Sequence, residues 1–277
     1  MTGEKTFYEF IKIAQFKILN SNPYILTTPY LETTLIVGLN HSHTNQIFSQ
    51  NISQETLKRE DRQLLKEGAH GFGVKLSEKQ LDLFALFLER LCLWNRRVSL
   101  TGISEKREMI IKLLLEPLIV LPYLPSSGTV LDIGSGAGTP GLPLKIARPE
   151  FEVHLLESKA KKVSFLKDMI RKLHLKGIEA YRGRAEKWAD PPTLFHFYDI
   201  VTARALAPLK KTIALCSSYF EPGSLLVTFK GSKVEQEIED SYKSMEQLNL
   251  RISKKISYCL PRIEGKRYLL ILKKEID

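Results

Sequence analysis

An open, mostly parallel α/β sheet covered by helices on both faces is the fold this sequence predicts, and three observations carry the prediction. The apolar run Val130-Leu131-Asp132-Ile133 leads straight into Gly134-Ser135-Gly136-Ala137-Gly138-Thr139-Pro140-Gly141, a stretch with four glycines in eight positions. Glycines there let the backbone turn sharply out of a buried strand and approach a ligand, and Pro140 suits the first turn of a following helix, where its missing N–H costs nothing. Beyond this stretch, short apolar runs alternate with helical patterns at the rhythm of a parallel sheet. A chain of 277 residues with 43% hydrophobic content is also long enough to bury a sizeable core.

The elements follow in order. Residues 1–58 read as a variable N-terminal extension. Asn, Thr, Ser, His and Gln crowd positions 20–56, and Phe7 to Leu19 offers one short amphipathic helix. A poorly ordered or loosely docked segment is expected there, with Asn22-Pro23-Tyr24 as a turn and His41 and His43 solvated. Residues 59–125 form a helical subdomain, with its packed part starting near residue 70. Ser77-Glu78-Lys79-Gln80 is close to a capping box, and Leu81, Phe84, Leu88 and Leu91 recur at helical spacing as far as Trp94-Asn95. Glu105 to Leu121 carries a second helical pattern interrupted by Pro117.

Residues 126–277 hold the sheet. Strands are expected at Thr129–Ile133, Glu152–Leu156, Ile178–Tyr181, Asp199–Ala203 and Ser224–Phe229. Helices are expected at Pro140–Ala147, Lys159–Leu173, Leu209–Tyr219 and Lys233–Leu248. Arg251–Tyr258 and Lys266–Leu272 read as a final antiparallel pair joined at Pro261–Gly265. A ligand should lie across the carboxyl ends of the parallel strands.

The net charge is +10, and residues 1–60 hold five basic and five acidic residues, so the excess lies beyond residue 60. A basic excess in the part that carries the glycine loop fits a polyanionic partner such as nucleic acid, and equally a solvated basic face. Cys92, Cys216 and Cys259 are odd in number and widely spaced, without zinc-type spacing. They read as reduced thiols in a cytoplasmic protein with no metal site. Apolar runs stay short of a membrane span, since Leu113 to Leu124 is interrupted by Glu116 and two prolines. The N-terminus lacks the order of a signal peptide.

Several residues carry chemistry. Gly136-x-Gly138-x-x-Gly141 fits the dinucleotide pattern, a weak signal alone. Glu157 ends the second strand, where a carboxylate can accept hydrogen bonds from ribose hydroxyls. Nicotinamide and S-adenosylmethionine enzymes share that feature. Asp132 separates them: a buried acid just before the glycines suits a cationic sulfonium and ammonium and repels a pyrophosphate. The competing reading is a carboxylate that accepts bonds from the N–H groups of its own loop. Arg184-Ala185-Glu186 follows the third strand, where an adenine wall or a solvated turn would lie. Arg204, at the end of the fourth strand, sits next to the transferred group or else pairs structurally with Asp199 or Glu157.

The sequence there is Thr202-Ala203-Arg204-Ala205, not the Asn/Asp-Pro-Pro-aromatic turn of enzymes that methylate exocyclic amines. Asp190-Pro191-Pro192-Thr193 precedes the fourth strand and reads as a loop. None of the cysteines is placed as a nucleophile for carbon methylation.

These residues resemble a known family, the bacterial ribosomal RNA small-subunit methyltransferase G, also called glucose-inhibited division protein B. The likeness covers roughly residues 60–275. It rests on Trp94-Asn95 followed by Leu100-Thr101, Asp132 to Gly141, Leu156-Glu157-Ser158, Lys161-Lys162-Val163-x-Phe165-Leu166, Arg184-Ala185-Glu186, Ala203-Arg204-Ala205 and Lys230-Gly231.

The resemblance implies a Rossmann-like class I S-adenosylmethionine-dependent methyltransferase fold that methylates N7 of one guanine in 16S ribosomal RNA near the decoding centre. It maps cofactor contacts onto Gly134, Thr139, Glu157, Ala185, Glu186 and Arg204, to which the loop reading adds Asp132, Gly136 and Gly138. The chain departs from the family's pattern at Leu113 and Glu116-Pro117, where relatives have His and then Asp-Ser. It departs again at Glu157, where many have Asp, and at residues 1–58, which have no counterpart.

On this reading Arg204 positions the base or the cofactor edge and no general base is needed. Lys230, Arg251, Lys254, Lys255, Arg262, Lys266 and Arg267 would contact phosphates of 16S RNA or the small ribosomal subunit. A monomer is expected. The alternatives are a nicotinamide-dependent oxidoreductase, a methyltransferase on another RNA or on protein, and a non-catalytic RNA-binding assembly factor.

Overall fold

The protein, described by a computed structural model over residues 58–188 and 197–275, builds a seven-stranded sheet between two helical layers. The expected extension up to residue 57 and the Asp190–Thr193 loop lie outside the described residues. The strands are β1 (Gly128–Ile133), β2 (Phe151–Glu157), β3 (Ile178–Arg182), β4 (Ile200–Arg204), β5 (Leu225–Lys230), β6 (Leu250–Leu260) and β7 (Ile263–Lys274), in the order β3-β2-β1-β4-β5-β7-β6. The first five are parallel, while β7 runs antiparallel to both β5 and β6. Strand order reverses between β1 and β4, which opens a crevice at their carboxyl ends.

Alternation along the strands feeds two cores. Val130, Val153, Ile200, Val227 and Ile271 face one side, and Leu131, Val201, Leu226 and Leu272 face the other. The first side is covered by α1 (Arg59–Gly71), α2 (Glu78–Asn95), the segment beginning at α3 (Lys106–Met109), α4 (Gly141–Ala147) and α5 (Ala160–Lys172). The second is covered by α6 (Leu209–Cys216), α7 (Val234–Glu239) and α8 (Tyr242–Gln247). One continuous core joins the helices before residue 125 to the sheet.

The capping box at Ser77 is present and does two jobs. The Ser77 hydroxyl accepts from the Gln80 N–H at 3.3 Å and Gln80 Oε1 accepts from the Ser77 N–H at 2.8 Å. The Gln80 amide then donates to the Ile146 and Ala147 carbonyls at 3.0 and 2.9 Å, satisfying orphan acceptors at the end of α4. At the other end of α2, the Trp94 indole and Arg90 both donate to Asp168 on α5, and Asn95 Oδ1 accepts from the Leu100 and Thr101 N–H groups.

Three expectations need correction. α1 begins ahead of the expected start near residue 70; its buried residues Leu64, Leu65, Gly68 and Ala69 include small ones, which let Leu115 pack within van der Waals distance of Gly68. The helix expected over Glu105–Leu121 changes character twice. Glu105 caps α3, the winding widens to a π-type turn over Ile110–Leu115, and it tightens to 3₁₀ from Glu116, where Pro117 has no N–H to donate. The helix expected over Lys233–Leu248 breaks at Asp240–Ser241, where the buried Ser241 hydroxyl bonds back to the Glu237 carbonyl.

Candidate active site

The glycine loop sits over the crevice because its backbone does what only glycines do readily. Gly134, Gly136 and Gly138 have φ of 74°, 55° and 84°. Gly134 and Ser135 donate to the Leu156 carbonyl at 2.8 and 3.2 Å, folding the loop across the end of β2. A Cβ on Gly141 would lie 2.3 Å from Leu155 Cδ2 and 2.9 Å from Asp132 Oδ2, so this position admits no side chain.

Asp132 is not open to the crevice. Its side chain is 1% exposed, Oδ1 accepts from the Thr202 hydroxyl at 2.8 Å, and Oδ2 accepts from the Gly141 N–H at 3.1 Å. The expected direct contact with a cationic ligand is therefore corrected: the carboxylate fixes the start of α4 from beneath the loop. Burial pushes its pKa up to about 6, against the opposing pull of Thr202, Gly141, Ser135 and the Arg204 charge.

Glu157 is also nearly buried but its carboxylate lies against the loop. Oε2 accepts from the Gly136 N–H at 3.0 Å and Oε1 from the Lys159 N–H at 2.8 Å, so one carboxylate at the β2 end holds both the glycine loop and the start of α5. The 3₁₀ turn Ala185–Lys187 leaves Glu186 exposed and is anchored from below. Burial pushes the Tyr219 phenol up to about 12, keeping it a donor, and it donates to the Ala185 carbonyl at 2.6 Å. Trp188 packs between Tyr181 and Tyr219 behind that turn.

Arg204 ends β4, where the backbone enters the left-handed region at Ala205 (φ 50°). Its guanidinium donates through Nη1 to the Thr139 hydroxyl at 3.3 Å and through Nη2 to Glu116 at 2.9 Å. The alternative of a structural pairing with Asp199 or Glu157 is not what the fold builds: the partner is Glu116, which the sequence marks only as an acid in an apolar run and a departure from the family's pattern. Glu116 is fully buried, and its other oxygen accepts from the Tyr258 phenol at 2.7 Å and from Arg267 Nε. Thr139 in turn donates to the Leu113 carbonyl at 3.1 Å. Leu113 thus contributes to the loop through its backbone, a role that needs no particular side chain.

The basic residues separate into two groups. Lys230 is buried, donates to the Ala207 carbonyl at 2.9 Å and pairs with Glu237 at 2.8 Å. With Arg267 committed to Glu116, two of the seven expected phosphate contacts are instead internal ties, a correction that follows from their ion pairs. Arg251, Lys254, Lys255, Arg262 and Lys266 are exposed on the β6–β7 hairpin. The register places Arg251 and Lys254 opposite Lys273 and Ile271, and Lys255 opposite Leu270, so a bulge at Ser253 divides them between the two faces. Lys255 pairs with Glu235, and Lys266 lies over the Tyr268 ring.

Among the described residues no group of three or more His, Cys, Asp or Glu side chains could hold a metal, and no helix is long and apolar enough to cross a membrane.

The residues present fit a nucleoside cofactor with a positive centre: a glycine cradle over the switch point, a carboxylate on its rim at Glu157 and another beneath it at Asp132. Joined to the β3-β2-β1-β4-β5-β7-β6 order, they define an S-adenosylmethionine-dependent methyltransferase of the Rossmann-like class I fold. A family model described as rRNA small subunit methyltransferase G matches residues 80–264. The chain is 37% identical over 214 residues to the ribosomal RNA small subunit methyltransferase G of Acetivibrio thermocellus, covering 77% of this chain and 88% of that protein. It is 36% identical over 216 residues to that of Lachnoclostridium phytofermentans, covering 77% and 89%. Among solved structures, a Pyrococcus furiosus methyltransferase aligns at TM-score 0.49 and 14% identity, covering 70% of this chain and 98% of that one. The chain belongs to the rRNA small subunit methyltransferase G family.

Proposed function

We propose that the chain methylates N7 of a single guanine in 16S ribosomal RNA, presented near the decoding centre of the small ribosomal subunit, in the cytoplasm. The observation that carries this reading is the guanidinium of Arg204, held at the carboxyl end of β4 against the cofactor loop by Thr139 and Glu116. Family membership supports it.

Bound S-adenosylmethionine supplies an electrophilic methyl group on a cationic sulfur. Guanine N7 brings its own lone pair and has no proton to lose, so the protein's task is alignment of nitrogen, carbon and sulfur. Glu157 would hold the ribose hydroxyls through the lone pairs left after its bonds to Gly136 and Lys159, and Ala185 and Glu186 would flank the base. Arg204 keeps N–H donors beyond the two already used, which it can offer to the incoming guanine edge. Arg251, Lys254, Lys255, Arg262 and Lys266 supply the phosphate contacts, and the target base is reached from a loop or after extrusion from its stack.

Labelled S-adenosylmethionine, incubated with small subunits and with deproteinised 16S RNA from cells lacking the modification, tests the reading. Label appears in at least one substrate with the wild-type protein and falls at least tenfold with Arg204→Ala, the two compared at a temperature at which both are folded by circular dichroism. Absence of label in every substrate refutes the assignment.

A further inference from the structure

Glu116 is a fully buried carboxylate that the methyl-transfer chemistry does not itself require, and it touches three separate parts of the fold. It lies in the 3₁₀ segment before the sheet, yet one oxygen meets Arg204 at the end of β4 and the other meets Tyr258 and Arg267 on the β6–β7 hairpin. A carboxylate stripped of water persists only where its lone pairs are matched, and here donors from two arginines and a phenol match them. The alternative of a bland structural pair does not account for the second contact of the same guanidinium. Arg204 Nη1 donates to the hydroxyl of Thr139, inside the cofactor loop, and Thr139 is tied in turn to Leu113, three residues before Glu116.

We propose that Glu116 is a positioning residue for the cofactor loop, holding Arg204 in the one orientation in which its guanidinium braces Thr139. The inference rests on the assignment of the glycine loop to S-adenosylmethionine and not on the identity of the RNA. Glutamine is nearly isosteric but offers one oxygen and one NH2 group. Its NH2 must then face the guanidinium of either Arg204 or Arg267, donor against donor, and both guanidinium groups lose their shared counter-charge. Arg204 without its partner no longer holds Thr139, and the loop loses a brace on the side nearest the helical layer.

The test is a double-mutant cycle read by calorimetric binding of S-adenosylhomocysteine, which needs no RNA substrate and so succeeds or fails independently of the proposed methylation site. Glu116→Gln weakens binding by about 10- to 100-fold, the scale of one charge-assisted hydrogen bond. In the Arg204→Ala background the same substitution has no further effect, because the group through which it acts is gone. Glu116→Asp, which keeps the charge on a stem one methylene shorter, binds more tightly than Glu116→Gln. If Glu116→Gln does not fold, Glu116→Asp carries the same cycle, with a smaller loss in the wild-type background and none beside Arg204→Ala. Losses that multiply in the double mutant, an Asp variant no better than Gln, or unchanged binding in the single variants overturn the proposal.

Discussion

Replacing Asp132 with asparagine should make the protein more stable at neutral pH while weakening its hold on a cationic cofactor. Asp132 is 1% exposed, and burial raises its pKa from 3.8 to about 6. The ionised carboxylate present at pH 7 therefore costs the fold about 3 kcal/mol relative to the same group in the unfolded chain. The sign follows from proton counting. Between about pH 4 and 6 the folded state binds more protons at this site than the unfolded state, so wild-type stability falls as pH rises through that window and levels off above it.

Asparagine escapes the penalty without orphaning its neighbours: its oxygen accepts from the Gly141 N–H, and its NH2 donates to the Thr202 hydroxyl, which accepts as readily as it donates. The stability advantage of Asp132→Asn over wild type should therefore grow by about 2 kcal/mol between pH 4.5 and 7.5. Urea unfolding of both proteins at half-unit pH steps measures it, since other titrating groups cancel in the difference. A difference that stays flat across the range, or that shrinks as pH rises, refutes the reasoning. Weaker S-adenosylmethionine binding by the stabilised variant would show what the buried charge is kept for.

Other perturbations separate the remaining roles. Gly141→Ala forces a methyl group against Leu155 and Asp132 and should cost about 1–3 kcal/mol in thermal or urea unfolding; a neutral effect would mean the start of α4 yields more easily than its contacts imply. Glu157→Gln provides one oxygen for two backbone donors, Gly136 and Lys159, and should weaken S-adenosylhomocysteine binding about tenfold in calorimetry. Lys254→Glu should lower RNA affinity and reduce the slope of log affinity against log salt by about 1 or more. Lys230→Met should leave RNA affinity in place and instead lower the melting temperature, because Lys230 ties Ala207 and Glu237 together. Filter binding across a salt series distinguishes the two. Ser77→Ala removes the cap of α2 and should cost about 1 kcal/mol of unfolding free energy.

The sheet was legible because its signals are local. Apolar runs bounded by turn residues placed every strand within about two residues for β1 to β5, and the glycine stretch fixed the loop. α1 was missed because its buried face uses Gly68 and Ala69, which leave no bulky stripe at helical spacing. The break between α7 and α8 depends on a serine hydroxyl turning back on its own helix, which periodicity does not register.

In the site, the glycines and Glu157 were readable, since a carboxylate at the end of β2 has few places to point. The partnership of Glu116 was not, because its contacts Arg204, Tyr258 and Arg267 lie 88, 142 and 151 residues away in sequence. The only local hint was an acid inside an otherwise apolar run, Leu113 to Leu121. Charge counting likewise treats Lys230 and Arg267 as free cations, and only the folded geometry shows that their charges are already spent on Glu237 and Glu116.

The atom that receives the methyl group distinguishes guanine N7 from every other site on the RNA. Methylation at N7 leaves a cationic guanine ring that borohydride reduces and aniline then cleaves, so the 16S RNA recovered after reaction can be mapped by strand scission. The expected result is scission at one guanine, appearing only when both the protein and S-adenosylmethionine are present. Incorporated methyl label without any such scission would contradict the assignment of N7.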